Sequence, residues 1–226
     1  MNDKKLNWPG DKKNKLHYIM IIDESGSMDP ICQDTINNVT ELLQDRKKEG
    51  NCFITLAAFN TNINWIYKKE PIDSINIKSI KYTPSGLTNL YSSVENIIKY
   101  VSDNKQDDEN IIIVILSDGD DNECDTEGQL KSPKNVAKLI SEKKEDNWAF
   151  TLMSCGLDGN RLSEILNINA DAVLTYGHDK IGSKVAFNIL KETTKRAVNN
   201  MLNDDVKLAY TFEDQKKSLR TYNSTN

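Results

Sequence analysis

The run His17-Tyr-Ile-Met-Ile-Ile-Asp23-Glu-Ser25-Gly-Ser27-Met28 decides the reading of this chain. Residues 17–22 read as a buried strand, and the strand stops at a carboxylate. Two serines follow at alternate positions. A strand end places Asp23, Ser25 and Ser27 on one tight loop, so one charged and two neutral oxygens can converge on a point. Such a donor set suits a hard cation. Alone, the pattern has a second reading, in which Ser25 or Ser27 caps the helix that follows.

Downstream, apolar runs and helical stripes alternate. Asp29 to Lys48 reads as a helix with Ile31, Ile36, Val39, Leu42 and Leu43 on one stripe. Cys52–Phe59 is a second strand, and Ile63–Tyr67 alternates as an edge strand paired in a hairpin. Trp65 on that edge is either packing or an exposed contact. Residues 78–84 form an irregular connector, and Asn89 to Ser102 a helix. Ile111-Ile-Ile-Val-Ile-Leu-Ser117 is the most apolar run, as expected of a strand buried on both faces of a parallel sheet. Helices over 133–144, 161–166 and 181–202 alternate with strands over 148–155 and 172–176. This order predicts a doubly wound α/β fold: a mostly parallel sheet of about six strands, one antiparallel edge strand, and helices on both faces. Ligands of such sheets sit at the carboxyl ends of the strands, at the topological switch point. Asp23 and Asp118 both follow strand ends and would meet there if their strands are neighbours.

Composition bounds the alternatives. Basic side chains number 29 and acidic ones 34, a formal net charge of −5, which disfavours a nucleic-acid partner. Residues 1–15 are polar, without the apolar core of a signal peptide, and no run approaches the ~20 apolar residues of a membrane span. Cys32, Cys52, Cys124 and Cys155 show no Cys-x-x-Cys spacing. The expectation is a reduced, cytoplasmic protein with no membrane partner. It comprises a lead-in (1–15), one folded domain (16–202) and a polar, mobile C-terminal tail (203–226).

Three segments supply hard oxygen donors: Asp23-Glu-Ser25-Gly-Ser27, Ser85-Gly-Leu87-Thr88, and Ser117-Asp118-Gly119. With no histidine or thiolate in them, they suit Mg²⁺, Mn²⁺ or Ca²⁺ rather than zinc. Asp118-Gly-Asp120-Asp121-Asn-Glu123 does not fit an EF-hand, because Glu123 and Gln129 stand at its sixth and twelfth positions. No general base is evident, and His17 and His178 lie outside all three segments, so a hydrolase is disfavoured. His178 reads as a surface-loop histidine, and Cys52 and Cys155 as core residues.

Asp23-x-Ser25-x-Ser27, then Thr88, then Asp118 in a Ser-Asp-Gly turn, resembles the metal-ion-dependent adhesion site (MIDAS) of the von Willebrand factor A (VWA) domain family. The resemblance covers about residues 16–202. Within that family the chain is most similar to short, single-domain cytosolic members from bacteria and their phages. The resemblance implies a Rossmann-like fold and a metal held by Asp23, Ser25, Ser27, Thr88 and Asp118. Ser25, Ser27 and either Thr88 or Asp118 would touch the ion directly. The sixth position would be left to a Glu or Asp of a protein partner. Glu24, Met28, Leu87, Asp120 and Asp121 are the candidate rim for that partner, although Glu24 also reads as a solvated carboxylate. The expected function is a non-enzymatic binding module. The alternative is a structural or assembly subunit whose metal mainly stabilises the loops.

Overall fold

The computed structural model describes residues 15–119, 121–122, 132–156, 159–200 and 208–225. Six strands form one sheet: β1 (Lys15–Asp23), β2 (Cys52–Phe59), β3 (Ile63–Pro71), β4 (Glu109–Ser117), β5 (Ala149–Cys155) and β6 (Val173–Tyr176). Their order is β3-β2-β1-β4-β5-β6, and only β3 runs antiparallel, against β2. The chain winds outward from β1 to one edge, returns to β4, and winds to the other. The β1–β4 junction is therefore the switch point where such sheets bind ligands. The doubly wound fold expected from the alternation of elements is the one the chain forms.

Side-chain alternation along the strands feeds two cores. Tyr18, Met20 and Ile22 of β1 join Ile112, Val114 and Leu116 of β4 on one face, under α1 (Cys32–Glu49) and α5 (Lys180–Asn200). Ile19, Ile21, Ile111, Ile113 and Ile115 face the other way. There they meet α2 (Leu90–Asn104), α3 (Lys134–Glu145) and α4 (Gly159–Leu166). Both faces of the central strands are buried, which accounts for their unbroken apolar sequence. Among the described residues no helix is long and apolar enough to cross a membrane.

Two boundaries shift. The helix expected from Asp29 becomes α-helical only at Cys32, after a 3-10 turn over Gly26–Ile31 that contains Pro30. The edge strand runs on to Pro71 through a bulge opposite β2. Lys69 there takes φ 50°, its N–H donates to Thr55 Oγ1 at 3.0 Å, and its ammonium pairs with the buried Glu109 at 2.9 Å. The Lys68-Lys-Glu70 sequence hides this strand end because alternation stops where the bulge begins.

The C-terminal segment corrects an expectation. Residues 212–225 are not a mobile tail but a helix, α6 (Phe212–Thr225), lying along the open edge of β6. Gln215 Nε2 donates to the carbonyls of Ala170 (2.7 Å) and Val173 (3.1 Å), and Ser218 Oγ to that of Thr175 (2.8 Å). Thr221 Oγ1 accepts from the Gly177 N–H at 3.1 Å. Tyr210, just ahead of the helix, is buried and hydrogen-bonds Thr151 at 2.7 Å. The helix thus takes the Val173 and Thr175 carbonyls that another strand would otherwise take, and clasps the residues just before and after β6. Its inward face is polar for that reason, and a search for apolar periodicity overlooks it. Ending the chain after Thr211 is expected to lower stability on the order of 4 kcal/mol, about 1 per lost hydrogen bond. It should also bare the β6 edge. Urea unfolding and size-exclusion chromatography check this, the expected result being a lower midpoint together with concentration-dependent association.

Candidate metal centre

Parallel pairing sets Ile22 opposite Leu116, so the next residues, Asp23 and Ser117, emerge side by side. Ser117 Oγ donates to Asp23 Oδ2 at 2.6 Å and accepts from the Gly119 N–H at 3.2 Å. The Ser25 N–H donates to Asp23 Oδ1 at 2.8 Å. The Tyr82 hydroxyl donates to the Asp23 carbonyl at 2.5 Å, fixing the main chain as well.

From there the loop turns across the strand ends. Ser25 Oγ lies 3.0 Å from Ser27 Oγ, and Ser27 Oγ donates to Asp118 Oδ1 at 2.8 Å. The third segment comes from the loop before α2. The Gly86 carbonyl accepts from the Gly26 N–H at 3.2 Å, docking one loop on the other. Gly86 has φ +74°, and a Cβ there would stand 3.2 Å from Thr61 Oγ1, so both backbone and space favour glycine. Thr88 is buried, and its hydroxyl lies 3.9 Å from where a Cβ on Gly119 would be. The structure therefore gathers Asp23, Ser25, Ser27, Thr88 and Asp118 at the carboxyl ends of β1 and β4.

The rim reading needs correction. Glu24 is buried rather than solvated: its Oε1 accepts from the Thr83 N–H at 2.6 Å, and its own N–H donates to the Phe59 carbonyl at 2.6 Å. It staples the 83–85 connector to the sheet. Met28 is wholly buried in the core under α1. Asp121 is buried, and its Oδ2 accepts from the Tyr91 N–H at 2.8 Å in the first turn of α2. Leu87 alone of the described candidates is open, at 51% exposure, and Asp120 lies outside the described residues. Ser117, expected within a donor segment, instead holds Asp23, and Tyr82 and Asn122 join the site from outside the three segments. Asn122 Oδ1 accepts from the Thr88 N–H at 2.8 Å, and its N–H donates to the Thr88 carbonyl at 3.0 Å. That role of Ser117 could have been found from register alone, since it is the β4 partner next to Asp23. His178 is no free surface residue either: its Nε2 lies 3.6 Å from Asp118 Oδ2. Trp65 packs on Tyr100, ring centroids 4.8 Å apart.

Burial pushes the Asp23 carboxyl up to about 6, the charge of Asp118 adding to the rise, against the hydrogen bonds from Ser117 and Ser25. Burial also raises Asp118, opposed by the Ser27 hydroxyl and His178. Two such carboxylates facing neutral hydroxyls fit a hard dication, which would neutralise them without filling every position. The described residues hold no cluster of three or more His, Cys, Asp or Glu suited to a metal, so a cation here depends on hydroxyl oxygens.

Comparison with known proteins finds no matching family model and no matching curated protein. Solved structures do match. Proximal thread matrix protein 1 from the mussel byssus superposes with a TM-score of 0.63 at 14% identity, over 78% of this chain and 47% of that one. This chain thus spans about half of the mussel protein. Another crystal of that protein has a zinc-occupied MIDAS motif. The von Willebrand factor domain of the type V pili tip protein Mfa5 from Porphyromonas gingivalis matches with a TM-score of 0.60 at 11% identity, over 80% and 95% of the two chains. Manganese-loaded TRAP protein of Plasmodium vivax matches at 0.54 and 13%, over 75% and 71%. These likenesses establish the fold as Rossmann-like, of the VWA type.

A buried, raised carboxyl stabilises the fold when protonated, so its contribution is full below the unfolded value near 3.8 and is lost as pH rises through about 6. The metal-free protein should therefore gain roughly 1.5 kcal/mol more than Asp23→Asn on going from pH 7.5 to 5.0. Millimolar Mg²⁺ should flatten that difference, because cation and proton compete for one carboxylate. Denaturant melts at both pH values, with Mg²⁺ and with EDTA, measure it.

Proposed function

We propose that this chain is a non-enzymatic protein-binding module that captures an acidic residue of a partner through a divalent cation. Asp23, Ser25, Ser27, Thr88 and Asp118 would hold the ion. The observation that carries the reading is the Ser25–Ser27–Asp118 hydroxyl–carboxylate relay, which crosses the switch point beside the buried Asp23. The metal-loaded relatives of the same fold support it.

The chemistry follows from charge. Asp23 and Asp118 together offer two negative charges, and Ser25, Ser27 and Thr88 offer neutral oxygens. When bound, the cation supplies a near-neutral centre that still attracts a further carboxylate. Ser117 and the Ser25 N–H hold Asp23 in place, so the partner's acid would meet a preformed site. Leu87 would border that acid with an apolar surface. Mg²⁺ is the proposed ion on the hardness of an all-oxygen donor set. The expected partner is a protein, with neither nucleic acid nor membrane involved. Cys32, Cys52 and Cys155 are free thiols, which supports a reducing, cytoplasmic setting.

An assembly role, with the ion mainly clamping the loops, is the second reading. It is favoured by Ser117 and Ser27 already bridging the two strand ends. Two measurements separate the readings. Mg²⁺ at ten times its Kd should stabilise the wild type by roughly 1.4 kcal/mol, a rise of a few degrees in Tm, and Asp23→Ala should show none. No shift with millimolar Mg²⁺, Mn²⁺ or Ca²⁺ would sink both. Asp118→Ala should abolish Mg²⁺-dependent partner capture in a pull-down while the fold persists. A partner retained by a destabilised Asp118→Ala protein would favour the clamp.

A further inference from the structure

His178 stands two residues beyond β6, across the sheet's carboxyl end from the serine loop. Its Nε2 is shut off from water and has no hydrogen-bond partner, yet it lies 3.6 Å from Asp118 Oδ2. The two oxygens of Asp118 are thus divided. Oδ1 accepts the Ser27 hydroxyl at 2.8 Å, and Oδ2 faces the imidazole.

The ring's seat is built from several sides. Gly156 has φ +66°, and a Cβ there would stand 3.0 Å from the His178 Cβ, so a side chain at 156 would push the histidine away. The preceding Gly177 N–H is held by Thr221 of α6. The following Asp179 Oδ1 accepts from the N–H groups of Ile181 (2.7 Å) and Gly182 (2.8 Å), fixing the turn into α5. A histidine placed this firmly, with its buried Nε2 beside a carboxylate, is more than a loop residue.

We infer that His178 is a positioning residue of the cation site: its Nε2–H holds the far oxygen of Asp118 and so presents the near one to Ser27 and the cation. The inference rests on the cation reading of the site. A carboxylate free to turn at a strand end offers its oxygens in many directions, whereas one held on Oδ2 offers Oδ1 in one. Outer partners of this kind govern metal affinity because they orient the ligands. The 3.6 Å separation is that of an ion-pair contact, and contacts of this kind are often long before a ligand binds and tighten in the bound complex.

The test is Mn²⁺ binding to the full chain, followed by electron paramagnetic resonance of the free ion. It compares wild type, His178→Phe, His178→Gln and, as a control on the site itself, Asp23→Ala. Gln places an amide N–H near the position of Nε2; Phe keeps the ring and removes the donor. The expected result is that His178→Phe weakens Mn²⁺ binding by roughly tenfold to a hundredfold. His178→Gln should recover most of it, and the metal-free melting temperatures should stay alike. Wild-type affinity in His178→Phe, with binding lost in Asp23→Ala, overturns the inference and leaves the cation site standing. Equal weakening in Phe and Gln variants, or a ¹⁴N coupling to bound Mn²⁺ that vanishes in His178→Phe, also overturns it, since packing or direct ligation would then be the role. If Phe does not fold, His178→Leu, which likewise removes the donor, takes its place beside His178→Gln, and the same outcomes decide. No Mn²⁺ binding by the wild type overturns the cation reading and this inference together.

Discussion

The parallel pairing of β1 with β4 is the constraint on which the rest depends. It runs in unbroken register from Lys15 opposite Glu109 to Ile22 opposite Leu116. That register delivers Asp23 beside Ser117 and sets Asp118 one residue further on. A slip of one residue would turn every side chain of β1 to the opposite face, Asp23 included. Two apolar cores hold the register, because β1 supplies alternating residues to each. Packing on both faces of the sheet thus fixes the position of a carboxylate at its end.

The electrostatics then run against stability. Asp23 is fully buried and Asp118 adds like charge beside it. The local hydrogen bonds from Ser117, Ser25 and Ser27 offset part of that cost, and none of them brings a positive charge. Hydroxyl and amide donors are neutral, and they leave the pair under-compensated. A protein that needed only a stable strand end would do better with an asparagine. The retained acidity is therefore informative about what the site is for.

Much of this was legible in the sequence. The central strands announced themselves because burial on both faces demands unbroken apolar residues, and Asp23-x-Ser25-x-Ser27 sits where a strand must end. Thr88 and Asp118 were legible from their loops. Other roles depend on contacts that no local pattern encodes. Glu24 looks like a surface residue until the 83–85 connector folds over it, and Asp121 like an acidic rim until it meets the first turn of α2. Met28 lies in a turn but points into the core. Helix α6 carries no sequence signal of burial because Gln215, Ser218 and Thr221 bond backbone groups in and beside β6 rather than bury apolar surface. His178 lies sixty residues from Asp118 in the chain, and only the sheet order brings them close.

The long reach of the β1–β4 pair also has a kinetic side. The Ser117–Asp23 bond joins groups 94 residues apart, and everything through β2, β3 and α2 lies in the loop it closes. Closing such a loop is entropically costly, and folds dominated by distant contacts form slowly. Until it closes, Asp23, Ser25 and Ser27 have no partner across the crevice, so a half-folded chain presents a serine loop and nothing more. Capture of an acidic partner would then be confined to molecules whose central strands have already met, and the site would act as a built-in check that folding is complete.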